Sequence, residues 1–241
     1  MSTCDVWWAA PAAPADAPGL VAMLDGHERT RMGRFRRDVD AARYLAAHAL
    51  TRVVLGVRLG RPPASLVFDR TCRCGEPHGK PTLAGGPGFS FTHAGAVVGV
   101  AVLDGGPVGL DVEPVRDLPD LEGMAAHVGA PAEPAAFFRA WTRKEALLKA
   151  TGEGLASPMA AIVLDDDGVV AWSGDGAPDG PVWLRDLVAP DGSPAAVAGL
   201  GGPAPEVAEH DARPLLNTTP TATTATASLH FHDGESPHPR R

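Results

Sequence analysis

Asp111 and Glu113 stand two residues apart in the run VGLDVEP (108–114). Side chains alternate between the faces of a strand, so both carboxylates point one way and Val112 the other. Taken alone, such a pair also describes the solvated end of many strands. Glu145 adds a second element, because it shares a helical stripe with Trp141 and Leu148, and a carboxylate in apolar company needs a partner or a task. Three carboxylates from one strand and one helix form a hard, oxygen-only donor set. Mg²⁺ suits it, since that ion keeps several waters and bridges protein carboxylates to substrate phosphates. Lys144 and Lys149 flank Glu145. A Glu-to-Lys pair at i, i+4 also stabilises an ordinary surface helix by about 0.2–0.5 kcal/mol. The apolar stripe turns this face inward or into a cleft, where a lysine meets a phosphate as a point charge.

Other residues offer weaker signals. His93 follows the apolar run 89–91 and precedes Gly95, which predicts a solvent-accessible hairpin turn on which His93 and Thr92 could hydrogen-bond a phosphate; a solvated loop histidine without a role fits equally. In Gly79-Lys80-Pro81 the glycine permits a turn and the proline fixes the exit, so Lys80 is held at a defined position. Cys72, Cys74 and His78 are of metal-ligating type, but Cys-x-Cys lacks the usual spacing and no matching second pair exists, so no zinc site is expected. Between His27 and Arg43, six arginines (29, 31, 34, 36, 37 and 43) face Glu28, Asp38 and Asp40, a net charge of +3. That run is either a solvated helix face or a binding patch.

The elements that must position these groups are legible as periodicities. A short strand is expected over 6–9, a helix from Asp40 to Gly56, strands over 66–68, 89–91, 97–103 and 108–112, and a stretch without periodicity up to Pro134. A second helix carries Phe137, Trp141, Glu145, Leu148 and Lys149 and stops at Gly152. Strands over 162–164, 169–172, 182–187 and 195–198 follow, separated by Asp-Gly and Gly-Pro turns. The order of helix, strands, helix, strands predicts an α+β fold of two similar halves, 1–105 and 106–202, although no clean sequence repeat relates them. Residues 203–241 include the low-complexity run NTTPTATTATAS and are expected to form a disordered tail.

Composition narrows the function. The chain has 241 residues with 44% hydrophobic content, enough for a sizeable core. The longest apolar stretch, 95–103, is too short to cross a bilayer and no leader-like segment opens the chain, which predicts a cytoplasmic, soluble protein. Three cysteines are too few for a disulfide framework. The formal charge of −8, with no aromatic stacking platform among the arginines, argues against nucleic acid as the partner.

Taken in order, GKP (79–81), FSFTHAG (89–95), VGLDVEP (108–114) and FFRAWTRKEALLKATGEGL (137–155) resemble the signature of the 4′-phosphopantetheinyl transferases, in the larger single-chain branch. The resemblance implies two pseudo-symmetric α+β halves enclosing coenzyme A. It implies that Asp111, Glu113 and Glu145 hold Mg²⁺ on the pyrophosphate, that Glu145 is also the general base, and that Lys149 offsets charge in the transition state. Lys144, His93 and Thr92 would meet phosphates, Lys80 would line the nucleotide end, and Arg31 or Arg34 would contact the 3′-phosphate. The expected reaction moves phosphopantetheine onto a serine of acyl or peptidyl carrier proteins, serving polyketide or nonribosomal peptide synthesis, with the enzyme a monomer. Three features depart from the family pattern: a short 114–137 segment, Ala94 where a serine commonly follows the histidine, and Glu28 where a basic residue is frequent. A silent coenzyme A-binding protein and a Mg²⁺-dependent phosphohydrolase are the rival readings; the first would usually have lost one of the three acids.

Overall fold

The computed structural model describes residues 2–72, 74–152, 154 and 157–217. In chain order the strands are β1 (Thr3–Ala9), β2 (Gly88–Ala94), β3 (Val97–Leu103), β4 (Val108–Val112), β5 (Ile162–Leu164), β6 (Val169–Trp172), β7 (Val182–Val188), β8 (Pro194–Leu200) and β9 (Glu206–Asp211). The helices are α1 (Pro18–Met23), α2 (Gly26–Met32), α3 (Asp38–Leu59), α4 (Leu121–Val128), α5 (Pro134–Thr151) and α6 (Arg213–Asn217).

Strands β1 and β3 are apolar on both faces, so each must be covered twice. Trp7, Ala9, Val98, Val100 and Val102 pack against Ala46, Ala47, Leu50 and Val54 of α3. The opposite face, with Val6, Trp8, Val97 and Ala101, packs against Val108, Leu110, Val112 and Val197 of a second sheet. That sheet is covered in turn by Phe137, Phe138, Leu147 and Leu148 of α5, which meet Leu184, Ala196 and Ala198. The result is four layers, α3, sheet, sheet, α5, with small, mainly antiparallel sheets. The first sheet runs β2-β3-β1-β9 and the second β4-β8-β7, with β5-β6 a separate hairpin. Among the described residues no helix is long and apolar enough to cross a membrane.

Most strands fall where the apolar runs place them, but α1 and α2 precede the first expected helix and three further differences stand out. Residues 66–68 are not a strand: Leu66 and Phe68 are buried and Val67 is 78% exposed, so the segment is extended, but a 3₁₀ turn (Pro63–Ser65) precedes it and it joins neither sheet. The stretch before Pro134 contains α4, capped by the Asp120 side chain accepting the Gly123 N–H. The expected disordered tail also begins too early. β9 pairs parallel to β1, with Trp7 opposite His210, and α6 follows, so the first sheet draws a strand from beyond residue 202. β9 is bound through polar contacts: Trp8 Nε1 donates to Glu209 (2.7 Å), His210 Nε2 lies 2.9 Å from Asp5, and the His210 ring stacks on Trp7 at 4.2 Å. Hydrophobic patterning cannot reveal such a strand. Residues 218–241 lie outside the described part of the chain.

Candidate active site

β4 alternates as the sequence requires: Val108, Leu110 and Val112 enter the inter-sheet core, which turns Gly109, Asp111 and Glu113 toward α5. Gly109 makes this approach possible. A Cβ there would lie 1.9 Å from the Ala146 carbonyl oxygen and 2.5 Å from the Ala150 nitrogen, so the helix rests directly on the strand backbone. α5 is started by Glu133, whose carboxylate accepts the N–H groups of Ala135 and Ala136, and by Pro134, and it ends at Gly152. The two sheets meet where Ser90 Oγ of β2 accepts the Leu110 N–H (3.1 Å).

At this junction Lys149 Nζ donates to Asp111 Oδ1 at 2.6 Å and to the Leu110 carbonyl at 3.1 Å. Thr92 Oγ1 donates to the same Asp111 oxygen (3.3 Å) and accepts from Lys149 (3.4 Å). Asp111 is 5% exposed, and its Oδ2 is buried with no hydrogen-bond partner. Burial raises the Asp111 pKa and the Lys149 charge opposes that rise. Glu145 is half-buried; burial raises its pKa, Asp111 raises it further, Lys149 lowers it, and Glu113 raises it again. Glu113 accepts from Arg116 Nη1 (2.8 Å) at the mouth of the site. The ionisation of Asp111 and of Glu145 is thus opposed by burial and by neighbouring carboxylates, with Lys149 the lysine between them and Arg116 paired to Glu113. Their oxygens do not all lie within 4.8 Å of one another. The donor set still suits a divalent hard cation: it is all oxygen, its charge is under-compensated, and one buried carboxylate oxygen lacks a partner.

His93 lies on β2 opposite Val98 rather than on the turn, its ring partly open to solvent. Partial burial of the ring lowers its pKa, and the nearby Lys149, His48 and Arg43 charges lower it further. Arg43, the last arginine of the basic run, reaches the β2–β3 turn. It donates from Nε to the Gly95 carbonyl (2.8 Å) and pairs with Asp40 (3.2 Å), which fixes its charge beside the β2–β3 turn.

Lys80 extends across to β4, donating to the Val108 carbonyl (2.8 Å) and more weakly to that of Ala150 (3.4 Å); burial lowers its pKa to about 8. It lines a pocket of about 530 Å³ with Pro81, Gly88, Phe89, Gly106 and Thr151. Val108 is three residues from Asp111, so pocket and acids are about 10 Å apart along the strand.

Lys144 corrects the sequence reading. It is 1% exposed, and its ammonium donates to the carbonyls of Val128 (2.7 Å), Gly129 (3.0 Å) and Met159 (3.1 Å). All three donors are spent tying the end of α4 to the 3₁₀ turn Met159–Ala161, and none is left for a phosphate. Arg31 and Arg34 are exposed on α2 and just after it, without ion-pair partners among the described residues and without hydrogen bonds to the acids. Arg31 lies near Tyr44, whose ring stacks on His48 at 4.0 Å, and His48 contacts Phe91 of β2.

Glu28 is not a surface residue opposing the arginines. It is fully buried, accepts from Arg52 (2.7 Å) and Arg70 (2.7 Å), contacts His48 Nδ1 (3.1 Å), and closes a capping box with Asp25. Burial pushes its pKa up, but the His48 and Arg52 hydrogen bonds and the Asp25 N–H outweigh that, holding it at about 2. His48, its own pKa lowered by burial, contributes as a hydrogen-bond donor.

Residues 107–175, which contain β4, α5 and all three acids, match the model of the 4′-phosphopantetheinyl transferase superfamily. The chain is 32% identical over 213 residues to the 4′-phosphopantetheinyl transferase HetI of Nostoc sp., covering 78% of this chain and 85% of that protein. It is 26% identical over 203 residues to a 4′-phosphopantetheinyl transferase of Bacillus subtilis (77% and 86% covered), and 32% identical over 155 residues to the 4′-phosphopantetheinyl transferase psf-1 of Bacillus pumilus (58% and 64%). On this similarity, and with the acids and Lys149 arranged as described, the chain belongs to the 4′-phosphopantetheinyl transferase superfamily of enzymes.

Proposed function

We propose that this enzyme transfers the 4′-phosphopantetheine of coenzyme A to a serine of an acyl or peptidyl carrier protein, releasing 3′,5′-ADP. The observation that carries the reading is the junction of β4 and α5. There Lys149 neutralises only one oxygen of a buried Asp111, and Glu145 has a raised pKa beside it. The serine oxygen attacks the β-phosphorus of the coenzyme, an oxygen–phosphorus bond forms, the pyrophosphate bridge breaks, and 3′,5′-ADP departs with the bridging electrons. Glu145 takes the serine proton. A raised pKa makes its carboxylate a stronger base than an ordinary glutamate while leaving it ionisable. Asp111, Glu113 and Glu145 would hold Mg²⁺, which supplies charge neutralisation on the pyrophosphate.

Lys149 offsets charge on the phosphate being displaced. Thr92 and His93 bind phosphate oxygens, with Arg43 and the exposed Arg31 and Arg34 contributing positive potential toward the 3′-phosphate. Lys80 and its pocket receive the nucleotide end, in a cleft between two pseudo-symmetric halves. The reaction needs charge neutralisation and in-line positioning and no covalent nucleophile. The enzyme acts as a cytoplasmic monomer on carriers of polyketide or nonribosomal peptide synthesis.

The test is the intact mass of unmodified peptidyl, polyketide and fatty-acid carriers after incubation with enzyme, coenzyme A and Mg²⁺. A gain of one phosphopantetheine, lost with EDTA and restored by added Mg²⁺, supports the reading and its metal. Phosphate release without a carrier would replace it with a hydrolase, and no gain on any carrier would leave a silent coenzyme A binder.

A further inference from the structure

The segment between α3 and β2 holds a cluster that the transfer reaction does not use. The Sγ atoms of Cys72 and Cys74 and a ring nitrogen of His78 all lie within 4.8 Å of one another, with Cys74 Sγ 3.1 Å from His78 Nε2. The backbone folds them together. The Gly75 N–H donates to the Cys72 carbonyl (2.8 Å) and the Cys72 N–H to the Glu76 carbonyl (2.8 Å), with Gly75 at φ 87°, a left-handed turn that the Cys-x-Cys-Gly sequence allows. The His78 N–H then returns to the Glu76 carbonyl (2.9 Å) and the Gly79 N–H to that of Arg70 (2.7 Å). At the base, Asp69 and Thr82 exchange both backbone hydrogen bonds. The loop is thus a closed knuckle with two sulfurs and an imidazole at its tip.

We propose that Cys72, Cys74 and His78 form a site for a thiophilic divalent metal, zinc by preference, separate from the carboxylate site. A tetrahedral ion with metal–sulfur bonds of about 2.3 Å and metal–nitrogen bonds of about 2.05 Å sets its ligands about 3.6–3.8 Å apart. The ligand atoms, all within 4.8 Å of one another, exceed that span by at most about an ångström, and the Cys74–His78 pair at 3.1 Å must open by about half an ångström. Cys74 and His78 are exposed and Cys72 half-buried, so a water completes the coordination. Sulfur and imidazole donors select zinc over Mg²⁺, whereas the all-oxygen set on β4 and α5 selects the reverse, so the two metals are sorted by donor chemistry.

The site has a structural consequence. Among the described residues between Asp69 and Lys80, none contributes a buried apolar side chain to the core clusters, so a metal crosslink supplies order that packing does not. Two residues after His78, Lys80 crosses to the Val108 carbonyl and lines the 530 Å³ pocket, so fixing the knuckle fixes the wall of that pocket.

The experiment uses the full-length chain, purified with a reductant, stripped of metal and titrated with Co²⁺ in the presence of excess Mg²⁺. One equivalent of bound cobalt with thiolate-to-cobalt charge-transfer absorption and intense tetrahedral d–d bands is expected, displaced by one equivalent of Zn²⁺. The charge-transfer absorption should weaken in Cys74→Ala, and the d–d bands should change in His78→Ala, with far-ultraviolet circular dichroism unaltered in both. Absence of thiolate absorption, or a parent-like spectrum in both variants, overturns the site. The readout is independent of phosphopantetheine transfer, so either reading can fail without the other.

Discussion

Replacing Gly109 by alanine tests whether the contact of α5 with β4 sets the reactive geometry. The added Cβ would sit 1.9 Å from the Ala146 oxygen and 2.5 Å from the Ala150 nitrogen, both backbone atoms of one helix. No side-chain rotation relieves that clash. Restoring ordinary contact at 3.4 Å requires a displacement of 3.4 − 1.9, or 1.5 Å, of the helix from the strand. That motion would break the 2.6 Å Lys149–Asp111 pair and move Glu145 with it. Overpacking of this kind costs about 1–3 kcal/mol, and at about 2–4 °C per kcal/mol for a chain of this size the midpoint should fall by up to about 12 °C. A misplacement of about 1 Å near a reacting group can cost about a hundredfold in rate, so transfer per folded molecule should fall by at least that factor. The assay is carrier mass gain against time, with a thermal melt on the same sample. Gly26→Ala is the control, since its Cβ would meet nothing within 4 Å. If Gly109→Ala kept most of its activity and melted with the parent, the helix would not be seated as described, and the case for the acids and Lys149 as one site would fall.

Three further outcomes follow from the charges. Glu145 has a folded pKa raised above its ordinary 4.5 by burial and by Asp111, so the stability present below pH 4.5 is lost as pH rises through the raised value. Glu145→Gln should therefore abolish transfer yet raise the melting midpoint at neutral pH, with the gain vanishing in acid; a midpoint lowered at neutral pH would contradict this. Lys144→Met should cost about 3 kcal/mol in urea unfolding by stranding buried carbonyls, while the KM for coenzyme A of the folded enzyme stays unchanged; a raised KM would return Lys144 to the phosphates. Glu28, held at about 2, contributes stability above pH 4.5 that is lost as pH falls toward 2. Arg52→Met should remove about 3–5 kcal/mol and flatten that acid transition, and an unchanged acid profile would show that Glu28 is not carrying it.

Much of the site was legible because period-2 and period-3.6 patterns are local. The alternation of VGLDVEP placed Asp111 and Glu113 on one face, and the stripe of Trp141, Glu145 and Leu148 placed a carboxylate beside them. What was not legible depends on partners distant in sequence. Gly109 reads as a weak strand residue until a helix rests on it. Glu28 looks like an opponent of its neighbouring arginines, yet its counter-ions are Arg52 and Arg70. β9 docks through Glu209 and His210, residues that period-2 hydrophobic patterning assigns to solvent. Cys72, Cys74 and His78 were discounted on spacing, and it is the turn at Gly75 that brings them together.

The divergent roles of Lys144 and Lys149 follow from helical phase. Successive helix residues are rotated by about 100°, so Lys144 leaves α5 on a different side from Glu145, whereas Lys149, four residues on from Glu145, returns to nearly the same side. The side Lys144 occupies faces the open carbonyls of Val128, Gly129 and Met159, which a single ammonium satisfies. The other side faces Asp111, where an ammonium satisfies one oxygen and leaves the second. A buried lysine with three partners has no reason to exchange them for substrate, and a buried carboxylate with one oxygen unmet does. The same helix therefore fastens the α4 segment with one lysine and presents an under-neutralised anionic site with the other. The Lys144→Met and Gly109→Ala variants separate these roles, since the first should lower stability without changing coenzyme affinity and the second should disturb both stability and transfer.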